Sequence, residues 1–163
     1  MSIIAIDPGT SNTGIVYMDE RRIICCKSLT YKEAVKIDQA ALMERAENIA
    51  RQIIDFAADK PHECIVIEGF VTYQERQSAY TFQTPYLCGY LHSALKGENV
   101  VIQTSDKVLN PNRRGNLSHL KKQMAKGYEV WGDSAKCSND HLRSAAVHGI
   151  YYYWRARFRA RRA

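Results

Sequence analysis

The chain has 163 residues, of which 45% are hydrophobic and 25% charged, and a formal net charge of +6. That length suits one domain with a core of its own, and the composition is that of an ordinary soluble globular protein. No apolar run approaches the ~20 residues of a membrane span, and no basic stretch precedes an apolar one at the N-terminus, so neither a membrane segment nor a signal peptide is expected. The five cysteines form no CxxC pair, which argues against a disulfide framework or zinc site and for reduced thiols in a cytoplasm. The charge is unevenly spread: residues 1–106 hold 10 Lys+Arg against 14 Asp+Glu, and residues 107–163 hold 13 against 3. Such polarity suits a polyanionic partner met by the second half; a solvated basic surface is the alternative.

In chain order, Ile3 to Ile6 is a short β-branched run that reads as a buried strand, and it ends on Asp7-Pro8-Gly9. Asp-Pro-Gly is also good turn chemistry, so Asp7 alone decides nothing. Thr13 to Met18 and Arg22 to Ser28 read as two further strands of a meander. From about Lys32 to Ala58 the apolar residues recur at spacings of three and four, which predicts a core-packing helix. Glu63 to Glu68 is a fourth strand, apolar on both faces and hence central, and again an acid and a glycine close it. A helix between two such strands implies a crossover and parallel pairing.

Gly69 to Pro85 is rich in aromatics and amides, and Pro85 to Leu95 resumes as a helix whose Gly89 and Ala94 admit a close neighbour or simply a core contact. Val100 to Gln103 is a fifth strand. Between Lys107 and Tyr128 there is no acid at all, while Lys107, Arg113, Arg114, Lys121, Lys122 and Lys126 are basic. A Gly/Asn/Arg loop ahead of a Lys-bearing helix, expected from Leu117 to Tyr128, suits phosphate contact. Ser138-Asn139 caps a last helix from Asp140 to about Arg159. Five arginines follow Trp154, in a tail that binds nucleic acid or merely solubilises. Residues 1–154 are therefore read as one domain and 155–163 as a basic tail.

A three-strand meander, helix, central strand, helix, strand and closing helices is the order of the ribonuclease H-like fold, an α/β architecture with a five-stranded mixed sheet flanked by helices. In that order the first and fourth strands lie side by side, so Asp7 and Glu68 end neighbouring strands, and the last helix brings Asp140 toward them. Converging carboxylates repel and call for cations; hard oxygen donors select Mg²⁺, with Mn²⁺ as a substitute. Two such ions can clamp a phosphodiester.

The segment IDPGTSNTG, the strand IVIEG and the closing NDHLRSAAVHG resemble those of the RuvC-type Holliday junction resolvases in a short, phage-like form. The resemblance implies a homodimer in the cytoplasm (the host's, if a phage encodes it) that nicks opposed strands of a four-way DNA junction. It leaves 5′-phosphate and 3′-hydroxyl ends and needs no small-molecule cofactor. By position, Asp7, Glu68 and Asp140 would be catalytic metal ligands, Phe70 or Tyr73 the aromatic that stacks on an opened base, and Lys107 with Lys121 or Lys122 the basic groups near the scissile phosphate.

The chain departs from the family in one place. Bacterial members usually carry two acids, or an acid and a His, one turn apart on the final helix, whereas Asp140 has Cys137 three residues before it and Arg143 three after. Arg143 and His148 are further candidates, the first for carboxylate repulsion or phosphate, the second for the site or as a buried helix histidine; Asp133 is a reserve. Three rivals remain. An actin- or sugar-kinase-type ATPase also opens on a strand, Asp and a Gly/Thr turn, but needs two such domains. Another ribonuclease H-like nuclease would act on branched DNA or RNA–DNA hybrids. A non-catalytic DNA-binding module would use the same surface.

Overall fold

A computed structural model describes residues 1–31, 38–70, 83–104, 128–131 and 134–160. Five strands, β1 (Ser2–Asp7), β2 (Asn12–Asp19), β3 (Ile23–Thr30), β4 (Ile65–Gly69) and β5 (Val100–Thr104), form one sheet in the order β3-β2-β1-β4-β5. The described helices are α1 (Gln39–Ala57), α2 (Gln83–Ala94) and α3 (Asp140–Ala160). β1 pairs antiparallel with β2 and parallel with β4, and β4 is parallel to β5, so the sheet is mixed, as expected. None of the described helices is long and apolar enough to cross a membrane.

Alternation along the two central strands sorts their side chains. Ile3, Ala5 and Val66 join the cluster under α3, with Val16, Met18, Leu142, Ala145, Ala146 and Ile150. Ile4, Ile6, Ile65 and Ile67 join the opposite cluster, with Ile49 and Ile53 of α1 and Leu87 and Leu91 of α2. The same period carries Asp7 and Glu68 to the α3 face, one residue beyond the paired Ile6 and Ile67. β1 and β4 run the same way, so both acids emerge at one edge.

α1 starts at Gln39, later than the apolar pattern suggested. Asp38 is extended, and its Oδ1 accepts from the Ala41 N–H at 2.8 Å, which caps the helix there. α3 is capped by Asn139, whose Oδ1 accepts from the Leu142 N–H at 2.9 Å while its Nδ2 donates to Ser28 Oγ of β3 at 2.9 Å. That cap ties the first turn of α3 to the sheet and sets its rotational phase. A Cβ built on Gly89 would meet no described atom within 4 Å beyond its own helix backbone and chain neighbours, so this position faces open space among the described residues. The helix expected over 117–128 lies outside the described residues except for Tyr128, which stands in a turn.

Two glycines let α3 lie against the sheet. A Cβ on Gly14, which pairs with Asp7, would stand 2.4 Å from the His141 backbone, and one on Gly149 would stand 2.4 Å from Met18 Sδ. The thioether can swing aside, whereas the helix backbone cannot. Gly14→Ala is therefore expected to cost about 1–3 kcal/mol by overpacking, a fall in Tm of about 2–4 °C per kcal/mol for a chain of this size. Thermal melts check this; a variant as stable as the parent would show that α3 has room to move.

Candidate active site

The turn after β1 is closed from within. Thr13, fully buried, donates its hydroxyl to the Gly9 carbonyl at 2.9 Å and accepts from the Gly9 N–H at 3.3 Å. Arg45 of α1 donates to the Thr10 carbonyl at 3.0 Å. The DPG…TG pattern thus serves to hold the end of β1 rigid, with Asp7 as its last residue.

Asp7 and Glu68 face a cleft of about 80 Å³ that Pro8, Gly69, Phe70 and Thr84 also line. Both carboxylates are mostly buried and close enough to share a proton. Burial, then the charge of Glu68, then a hydrogen bond donated to Glu68, raise the Asp7 carboxyl from its ordinary 3.8 to about 8. Glu68 ends below its usual range: burial works against ionisation, but His148, the Ser144 hydroxyl and the Asp7 proton together outweigh it. The same two acids, after burial, lift the nearby Cys88 thiol to about 11.

α3 contributes three residues to this corner. His141 Nδ1 lies 2.9 Å from Asp7 Oδ2. Ser144 Oγ donates to Glu68 Oε2 at 2.6 Å. His148, at 0% exposure, brings its Nε2 to 3.4 Å from that same oxygen, near enough to pair but not aligned as a hydrogen bond.

The expected trio is therefore corrected at one position. Asp7 and Glu68 meet; Asp140 does not join them. Its side chain is 98% exposed and its Oδ1 pairs with Arg143 Nη1 at 3.2 Å. The reason is helical phase. At roughly 100° per residue, the buried stripe of Leu142, Ala145, Ala146 and Ile150 turns Asp140 outward, whereas His141, Ser144 and His148 fall along one flank. The pair one turn apart is thus His141 and Ser144. Both were missed, although the apolar stripe carried the signal. Arg143 emerges on the other flank, where its guanidinium stacks on Trp131 at 5.3 Å. Phe70 lies at the mouth of the cleft, 42% exposed. Tyr73, Lys107, Arg113, Arg114, Lys121, Lys122 and Asp133 lie outside the described residues.

Among the described residues no three His, Cys, Asp or Glu side chains stand in a finished metal cage. The donor chemistry nonetheless fits a hard divalent cation. Two carboxylates crowded together keep a proton that a cation could replace, and an imidazole adjoins them.

The five-stranded mixed sheet with its flanking helices is an α/β fold of the ribonuclease H-like kind. Within it, the chain has the fold of RuvC. It is similar to a structure described as T. thermophilus RuvC in complex with Holliday junction substrate, with TM-score 0.68 at 14% identity, over 97% of this chain and 96% of that one. It is similar also to a Thermus thermophilus RuvC structure, with TM-score 0.69 at 14% identity and the same coverage. No protein-family model and no curated protein matches the sequence.

The shared proton has a measurable consequence in chelator. A carboxyl whose folded pKa is raised from 3.8 to about 8 contributes stability that is present below pH 4 and is lost as pH rises toward 8. Asp7→Asn, which keeps the hydrogen bonds and drops the charge, is expected to melt several degrees above the parent at pH 8 in EDTA. The gap should shrink toward pH 4. Paired melts at the two pH values check this; a constant gap would mean that Asp7 is not protonated by its surroundings.

Proposed function

We propose that the chain is a divalent-metal-dependent endodeoxyribonuclease that resolves four-way DNA junctions by paired nicks, acting as a homodimer in the cytoplasm. The observation that carries this reading is the meeting of Asp7 and Glu68 at one sheet edge beneath the first turn of α3, with His141 on Asp7. The whole-chain likeness to a RuvC bound to a Holliday junction supports the substrate.

In this reading Asp7 and Glu68 hold Mg²⁺ or Mn²⁺, with His141 as third donor or as the group that orients Asp7. The bound metal supplies activation of water and relief of charge at the leaving 3′ oxygen. Ser144 and His148 both face Glu68 Oε2, which fixes the carboxylate. Phe70 stands at the cleft mouth, where an opened base could stack. The basic groups of 107–128, Lys107, Arg113, Arg114, Lys121 and Lys122 among them, supply the phosphate-binding surface, and Tyr73 is a further stacking candidate.

A second reading, a junction-binding module that does not cut, is favoured by one observation: one turn after His141 the helix offers Glu68 the hydroxyl of Ser144 rather than a further acid. Incubating the protein with four-way, forked, duplex and RNA–DNA hybrid substrates in Mg²⁺, Mn²⁺ and Ca²⁺ separates the two. Symmetric nicks in Mg²⁺ or Mn²⁺, with binding but no cutting in Ca²⁺, are expected. Binding without nicks in every metal would leave the module.

Asp7→Asn and Glu68→Gln should each abolish nicking while junction binding persists. Ser144→Ala should lose about 10–100-fold in metal affinity or rate, as expected of a group that orients a ligand. Asp140→Asn should continue to nick. Loss of cutting in that variant, with Mn²⁺ affinity reduced in calorimetry, would return Asp140 to the ligand set.

A further inference from the structure

Trp131 is one of few large apolar side chains exposed among the described residues, at 44%, and it precedes the helix that supplies His141 and Ser144. Arg143 stacks on its ring at 5.3 Å. The guanidinium is held on one side by Asp140 Oδ1 at 3.2 Å, but that carboxylate is 98% exposed, so the pair is screened and worth little. The Arg143 Nε is buried and finds no acceptor among the described residues, so a ligand would meet the outer guanidinium nitrogens. An exposed indole with an arginine on it matches one ligand chemistry well: a base for the ring and a phosphate for the guanidinium.

The placement matters as much as the chemistry. Arg143 lies two residues from His141 and beside Ser144, on the opposite flank of the same helical turn. A helix is about 10–12 Å across with its side chains, a span of about three nucleotides at 3.4 Å each. A strand laid over the end of α3 would have one phosphate at the acids and a base or phosphate over Trp131. Phe70 borders the cleft on the β4 side. Two exposed aromatics thus belong to the elements that build the site, Phe70 just beyond β4 and Trp131 ahead of α3.

We infer that Trp131 and Arg143 form a single-strand subsite for the DNA arm leading away from the cut: Trp131 stacks on a base, and Arg143 exchanges Asp140 for a phosphate. This rests on the nuclease reading and specifies which surface grips the substrate. The binding is unspecific in sequence, because every base offers a π-face and every nucleotide a phosphate.

The chain has two tryptophans, so Trp154→Phe leaves Trp131 as the sole indole reporter. Titration of that variant with a short unlabelled DNA strand in Ca²⁺ should quench its emission. Anisotropy with a labelled four-way junction should show Trp131→Ala binding about 5- to 100-fold more weakly, with Trp131→Phe recovering most of the loss. Arg143→Gln should lower the slope of log K against log salt by about one. No quenching at saturating DNA, or parental affinity in Trp131→Ala, would overturn the subsite. If the parent nicks junctions while Trp131→Ala binds and cuts like it, the subsite alone fails. If the parent binds no DNA of any form, the nuclease reading falls and the subsite with it.

Discussion

Two carboxylates that cannot both ionise comfortably sit at the centre of this protein. Asp7 and Glu68 are brought to the same edge and the same face because β1 and β4 are parallel neighbours in phase. Nothing in the core requires the contact, and burial makes it unfavourable: Asp7 holds its proton to about pH 8. Hydrophobic burial on both faces of the sheet supplies the stability that keeps such a pair in place. In the proposed reading a cation would relieve this repulsion.

The surrounding residues make sense as answers to that repulsion. Thr13 locks the turn that carries Asp7, and Gly14 clears the space in which the first turn of α3 approaches. Asn139 starts the helix at the right residue and ties it to β3. The helix then delivers an imidazole to Asp7 and, to Glu68, a hydroxyl followed by a buried imidazole. Each is a donor or a potential cation facing a carboxylate. The helix therefore relieves the charge that the two strands concentrate.

Opposite flanks of α3 carry different chemistry for the same reason that any amphipathic helix does. The apolar stripe faces the sheet, and what lies on either side of it is fixed in direction. On one flank stand the groups that touch the acids. On the other, Arg143 meets Trp131 at the surface. The cleft is small, so in the proposed reading a substrate as large as a DNA junction would be gripped outside it, by exposed rings and by basic groups.

Much of this was legible from the order of residues alone. The β-branched runs ending in acid and glycine named Asp7 and Glu68, and the helix between them implied parallel strands, because strand and crossover follow local pattern and chain connectivity. The pattern also marked α3 and the C-terminal end of α1 to within a residue or two, whereas α1 starts seven residues after Lys32, at its Asp38 cap. Which residue of the α3 turn meets the acids was a different kind of question. Asp140 was favoured because an acid suits a metal, whereas His141 was selected by helix phase, and that phase is set by the Asn139 cap, Gly14 and the packing of Leu142 and Ala146 on the sheet. Ser144 acquires meaning only through its distance to Glu68, and Trp131 only through Arg143, whereas His148, a candidate already in the sequence, owes its place beside Glu68 to the fold. Those contacts join residues remote in the chain or on particular flanks of a helix, so tertiary packing alone decided them. Side-chain chemistry and local periodicity, which do not depend on packing, were readable beforehand.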